Sequence, residues 1–130
     1  MRCLYTRPMA AAAAPDNTAD AALDRALDHM AGGDPVAAIP CLRQALALEP
    51  GHTAATHALM RALQEAGGLE EAVALAHTRI AADPDDALAY TRLSVLHQAM
   101  GKIPEAEAAA ARAKILGWKQ QLRNPEAESL

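Results

Sequence analysis

The chain has 130 residues, of which 34 are alanine and none is phenylalanine, and its formal net charge is −4. That length suits one compact domain without disulfide or metal staples. Three Val and four Ile against 16 Leu leave too few strand formers for an all-β fold. A pI near 5.7 lacks the basic face that nucleic-acid binding needs, and no apolar run reaches the roughly 18 residues that span a bilayer. Cys3 and Cys41 are too few for a disulfide framework and have no metal-ligand neighbourhood.

Residues 1–18 differ from the rest of the chain. Arg2 and Arg7 precede Met9 and the run Ala10–Ala14, but five alanines fall short of the roughly 7–15 strongly apolar residues of a secretory leader. The expectation is a flexible tail, with Met9 an alternative start to Met1. Pro15-Asp16-Asn17-Thr18 then reads as a stop and cap before the first helix, because short polar side chains accept from free amides there.

From residue 19 onward a repeat sets the pattern. Gly33, Gly67 and Gly101 recur at a constant interval of 34, as do Ala38, Ala72 and Ala106; Pro50 and Pro84, and Leu59 and Leu93, keep the same interval. Each unit predicts a helical hairpin. Leu59, Ala62, Leu63 and Ala66 recur at helical spacing, and so do Leu93, Leu96, Ala99 and Met100. Glycine ends the first helix, where a left-handed residue costs it little. The second helix starts at Asp34-Pro35, Gly68-Leu69 or Ile103-Pro104, proline being tolerated in a first turn. Pro50 and Pro84 close it, and Ala38, Ala72 and Ala106 allow a close helix approach that larger side chains would overpack.

These residues resemble the tetratricopeptide repeat family over roughly 19–120. The second helices match well. Among the first helices, Tyr90, Leu93 and Ser94 match, repeat two keeps Leu59 beside Thr56 and Met60, and repeat one fits through Leu23, Ala26, Leu27 and Met30 with one residue inserted before Gly33. Arg79 departs from the small residue supplied by Ala45 and Ala113. The resemblance implies an all-α, right-handed superhelical solenoid of three helix-turn-helix hairpins. These occupy about 19–52, 53–86 and 87–120 within a domain over 19–124, with a capping segment at 118–123 and a frayed end at 125–130.

That segment carries Trp118 where the first two repeats carry proline, and Lys119–Arg123 keep helical propensity up to Asn124-Pro125. It is expected as an extension or a short extra helix that lays Trp118 and Leu122 over the last hairpin; the other reading makes Trp118 a contact for a partner or a second copy. Asp16, Asp20, Asp24 and Asp28 form an acidic i, i+4 stripe, while Arg112, Lys114, Lys119 and Arg123 make the other end basic. Head-to-tail stacking of copies and two merely solvated ends are the alternatives, a monomer being expected.

No nucleotide or catalytic motif is present. His29, His52, His57, His77 and His97 form no i, i+3 or i, i+4 pair, so neither metal nor cofactor is expected. His97 is expected half-buried and satisfied, His52 and His57 at the surface where a helix starts, and Cys41 packed among Ile39, Leu42 and Leu46.

In the family the first helices line a concave groove for peptides. The resemblance carries this to His57, Arg61 and Gln64 in repeat two and to Leu88, Thr91, Arg92, Val95 and Gln98 in repeat three. Arg61 and Arg92 are the cations of this set, suited to two-point contact with carboxylates, unless Arg61 pairs with Glu65 at i, i+4. Family members that clamp chaperone tails use two Lys, two Asn and one Arg; here those positions are Leu23, Leu27, Ala58, Leu88 and Arg92, so that activity is not implied. The expected function is a non-catalytic, cytoplasmic adaptor or scaffold that docks a peptide segment of another protein. The alternatives are an assembly protein that self-associates through its ends and a secretion-type chaperone.

Overall fold

A computed structural model describes residues 17–124, so the expectations for 1–16, Cys3 and Asp16 among them, and for 125–130 lie outside the described residues. Six helices succeed one another: α1 (Ala19–Ala31), α2 (Pro35–Leu48), α3 (Thr53–Ala66), α4 (Leu69–Ala82), α5 (Ala87–Ala99) and α6 (Ile103–Arg123). The chain divides into two compact units between Ala66 and Gly67. In the first, α2 packs against both α1 and α3; in the second, α5 packs against both α4 and α6.

The punctuation keeps to the period. Among the described residues Gly33, Gly67 and Gly101 are those with positive φ, at 80°, 92° and 78°. At the ends of α1 and α5 the backbone closes in the same way. Asp34 N–H donates to the His29 carbonyl (2.9 Å) and Gly33 N–H to Met30 (3.0 Å); Lys102 donates to His97 (2.8 Å) and Gly101 to Gln98 (3.0 Å). This paired closure satisfies carbonyls that would otherwise be orphaned, and it needs a left-handed residue at the glycine. Pro50 and Pro84 come after Glu49 and Asp83, both extended, where α2 and α4 stop.

Three first-helix starts share a device that residue identity conceals. Thr18 Oγ1 accepts from Ala21 N–H (3.0 Å), His52 Nδ1 from Ala55 N–H (3.1 Å) and Asp86 Oδ1 from Ala89 N–H (3.1 Å). They recur at the same interval as Gly33, Gly67 and Gly101, each standing equally far ahead of its own glycine. Repeat one therefore needs no inserted residue, contrary to the expectation from its leucines. In register, Arg25 stands where Leu59 and Leu93 stand, and Ala26 where Met60 and Ser94 do. The core of α1 is made of Ala19, Ala22 and Ala26, while Leu23 and Met30 are half-buried and Leu27 is 45% exposed. Arg25 reaches Gln44 of α2 at 3.3 Å.

Packing at a mostly alanine core leaves little volume to spare. Ala38, Leu42 and Ala45 are fully buried in α2; Ala55, Thr56, Leu59, Met60, Ala62 and Leu63 are buried in α3. The second unit buries Ala72, Ala76, Ala89, Leu93, Leu96, Ala106, Ala109 and Leu116. Ser94 Oγ donates to the Ala106 carbonyl at 2.8 Å, tying α5 to α6 where a larger residue would push them apart. Ala66 and Ala99, expected with the apolar faces, are exposed at the helix ends.

The expected capping segment takes the form of an extension. α6 runs 21 residues without a break, through Gly117, to Arg123. Trp118 is 57% exposed and Leu122 82% exposed, so neither covers the last hairpin. With no proline at the position of Pro50 and Pro84, nothing stops the helix, and a straight helix carries these side chains outward rather than back.

Candidate functional site

The residues expected to form a groove fall on two helices in separate units, and each face stands by itself. On α5, Leu88, Thr91, Arg92, Val95 and Gln98 recur at i, i+3, i+4, i+7 and i+10, which is one side of a helix. Leu88 is 49% exposed and Val95 37% exposed. Thr91 turns its hydroxyl back onto the Ala87 carbonyl (3.1 Å), which leaves its methyl group for contact. Arg92 is half-buried, and its Nε is a buried donor with no hydrogen-bond partner. An unmet donor of this kind costs on the order of 1–3 kcal/mol.

On α3, Gln64 is half-buried and Arg61 is exposed; His57, expected at the surface, is half-buried as well, one turn into the helix rather than at its open start. Gln64 Oε1 is buried without a hydrogen-bond partner. Arg61 Nε donates to Glu65 Oε2 at 3.0 Å, the i, i+4 alternative noted from the sequence. Both side chains are about half exposed, so the pair contributes only about 0.3–0.5 kcal/mol and can be exchanged for another carboxylate at little cost.

His97 differs from expectation. It is half-buried as anticipated, but its Nδ1 has no hydrogen-bond partner. Cys41 is a free, half-buried thiol on α2. His52, expected as a surface residue, is largely buried and structural: with Nδ1 accepting from Ala55, its Nε2 carries the proton and donates to Asp20 Oδ1 at 2.7 Å. Arg79, the apparent misfit, is held at the turn after α4. Its Nε donates to Asp86 Oδ2 at 2.7 Å and its Nη2 lies 3.4 Å from Asp83 Oδ2. Arg79 and Asp86 side chains are only 16% and 10% exposed. Sequence reasoning missed this clasp because it compared Arg79 with alanines in size; the signal was the trio of aspartates, Asp83, Asp85 and Asp86, just after it.

Two hollows open on the second unit. One of about 560 Å³ is lined by Gly67, Gly68, Leu69, Glu70, Glu71 and Met100. The other, about 160 Å³, lies between α5 and α6 against Ser94, Gln98, Ala106 and Ala110. Neither gathers the convergent polar groups of a small-molecule site. Among the described residues no cluster of three or more His, Cys, Asp or Glu side chains could hold a metal ion. No helix among them is long and apolar enough to cross a membrane.

No curated protein matches the sequence. Among solved structures, the crystal structure of MamA is similar, with a TM-score of 0.74 at 21% identity. The match covers 80% of this chain and 61% of the MamA chain, and it carries the fold, a helical-repeat solenoid. The tetratricopeptide repeat family matches residues 29–94, half of the chain. The periodic glycine, cap and close-packed alanine agree with that match, and the chain belongs to the tetratricopeptide repeat family, whose helical hairpins serve as protein-interaction modules.

Proposed function

We propose that the chain is a non-catalytic adaptor that binds a peptide segment of a partner protein on the outward faces of its first helices, α5 foremost. One observation carries the reading: α5 leaves Leu88 and Val95 open on the same strip as Arg92. Apolar contact and a guanidinium fork within one strip suit an extended or helical segment that has a hydrophobic residue near a carboxylate or carbonyl. His57, Arg61 and Gln64 on α3 offer a second strip with a similar mixture. A domain extending over 19–124, action without a cofactor and a cytoplasmic setting belong to the same proposal.

The test is capture from source-cell lysate by the full chain, compared with a Leu88→Asp/Arg92→Glu variant whose helix content matches by circular dichroism. The expected result is a specific protein whose retention falls by about tenfold or more in the variant, as for loss of an interface hot spot. Equal retention of the same proteins by both would remove α5 from the binding surface and overturn the reading.

A further inference from the structure

The last helix carries two apolar seams. One, Ala106, Ala109, Ala113 and Leu116, is buried or half-buried, on the side where α6 packs against α5. The other consists of Ala108, Ala111, Ile115, Trp118 and Leu122, all exposed, with Ile115 at 43%, Trp118 at 57% and Leu122 at 82%. Its alternating steps of three and four are those of a coiled-coil seam, displaced by two positions from the buried one and so on the far side of the helix.

The other second helices show what this face is for. Its counterparts are Pro40, Arg43 and Ala47 in α2 and Ala74, His77 and Ala81 in α4, likewise exposed but polar or small. A helix comes after both α2 and α4, yet these positions stay open, so a further repeat would leave Ala108, Ala111 and Ile115 open; Trp118 and Leu122 lie past the ends of the equivalent helices. Among the positions that are buried or half-buried in those helices are Ile39, Leu42 and Leu46, and Val73, Ala76 and Ile80. Their counterparts in α6 are Glu107, Ala110 and Lys114, all exposed. Thus α6 carries Glu107 and Lys114, beside Ala110, where the earlier second helices carry apolar residues, and Ile115 where they carry small ones. An apolar stacking of a further hairpin at that face would have to bury Glu107 and Lys114.

We propose that α6 is the dimerisation helix of this protein, pairing antiparallel with α6 of a second copy through Ala108, Ala111, Ile115, Trp118 and Leu122. The occupant is indicated by the size gradient along the seam. Antiparallel pairing sets Ala108 against Trp118 and Ala111 against Ile115, each layer holding one small and one large side chain. Parallel pairing would set alanine on alanine at one end and tryptophan on tryptophan at the other, so the helices could not stay evenly spaced. In the antiparallel register Glu105 of one copy flanks Lys119 of the other, twice over, while on the same flank Arg112 of each copy meets Arg112 of the other at the two-fold axis. A seam of five side chains on one helix pair belongs with the smaller specific interfaces, so association is concentration-dependent rather than obligate.

Sedimentation of the full chain across a wide concentration range tests the proposal. The mass should rise from 13.6 kDa toward twice that value and stop. Trp118→Glu should raise the midpoint concentration by about tenfold or more with helix content unchanged, and Arg112→Gln should lower it. In a background of Cys3→Ser and Cys41→Ala, mixing Ala111→Cys with Ile115→Cys chains should give oxidised heterodimers more readily than either alone. A single-chain mass throughout, a dimer indifferent to Trp118→Glu, growth beyond two chains, or preferential self-linking of Ala111→Cys would each overturn it.

Discussion

His52 and Asp86 stand one repeat apart and do the same work with different chemistry. Each caps the helix that comes next, and each reaches back with its other polar atom to fasten an earlier helix of its own unit. His52 holds Asp20 at the start of α1, and Asp86 holds Arg79 near the end of α4. The imidazole does this with one acceptor and one donor nitrogen; the carboxylate does it with two acceptors and needs a cation opposite. The repeat therefore keeps a geometric duty within this chain rather than a residue type. The two clasps also differ in exposure. Asp20 is 83% exposed, whereas Arg79 and Asp86 are both largely buried.

That difference in burial orders the expected effects. Asp86→Ala removes the cap and leaves the guanidinium of Arg79 part-buried beside only the more distant Asp83, so about 2–4 kcal/mol of stability should be lost. Urea unfolding measures it; a loss below about 1 kcal/mol would mean that Arg79 finds solvent or Asp83 easily enough to make the clasp ornamental. His52→Ala should cost less, about 1–2 kcal/mol, because the Asp20 end already faces water. His52→Asn keeps a cap acceptor and should recover most of that loss, which sharpens the comparison by separating the capping bond from the reach to Asp20. Thr18→Ala removes the capping bond at the exposed start of α1 and should cost about 0.5–1 kcal/mol by the same unfolding measurement. If it matched His52→Ala, the reach from His52 to Asp20 would add nothing to a cap.

The period made the helices legible because glycine and proline act on the backbone directly, whatever surrounds them. Gly33, Gly67 and Gly101 fell at the left-handed positions, and Pro50 and Pro84 just beyond helix ends. Thr18 was legible within a capping run, but its equivalence to His52 and Asp86 was hidden because Thr, His and Asp share no shape, only an acceptor at one distance from a backbone amide. Leucines misled the alignment of repeat one, where the buried positions are alanines. Arg79 looked like an overpacked small position until three-dimensional placement supplied its carboxylates. On the candidate strips, periodicity put Leu88, Arg92 and Val95 on one face, but the Arg61–Glu65 pairing and the buried Nε of Arg92 depend on rotamers that spacing does not determine.

The three left-handed glycines also have a consequence for mutational tolerance. A Cβ added at Gly33, Gly67 or Gly101 would meet nothing within 4 Å, so torsion rather than room excludes other residues there. Asparagine, which visits that region of backbone space, is accordingly the replacement each turn should accept most readily, and valine or isoleucine the least. In a saturation library these sites would show tolerance ranked by backbone preference and indifferent to side-chain volume, the reverse of the ranking at Ala38, Ala72 and Ala106 in the core.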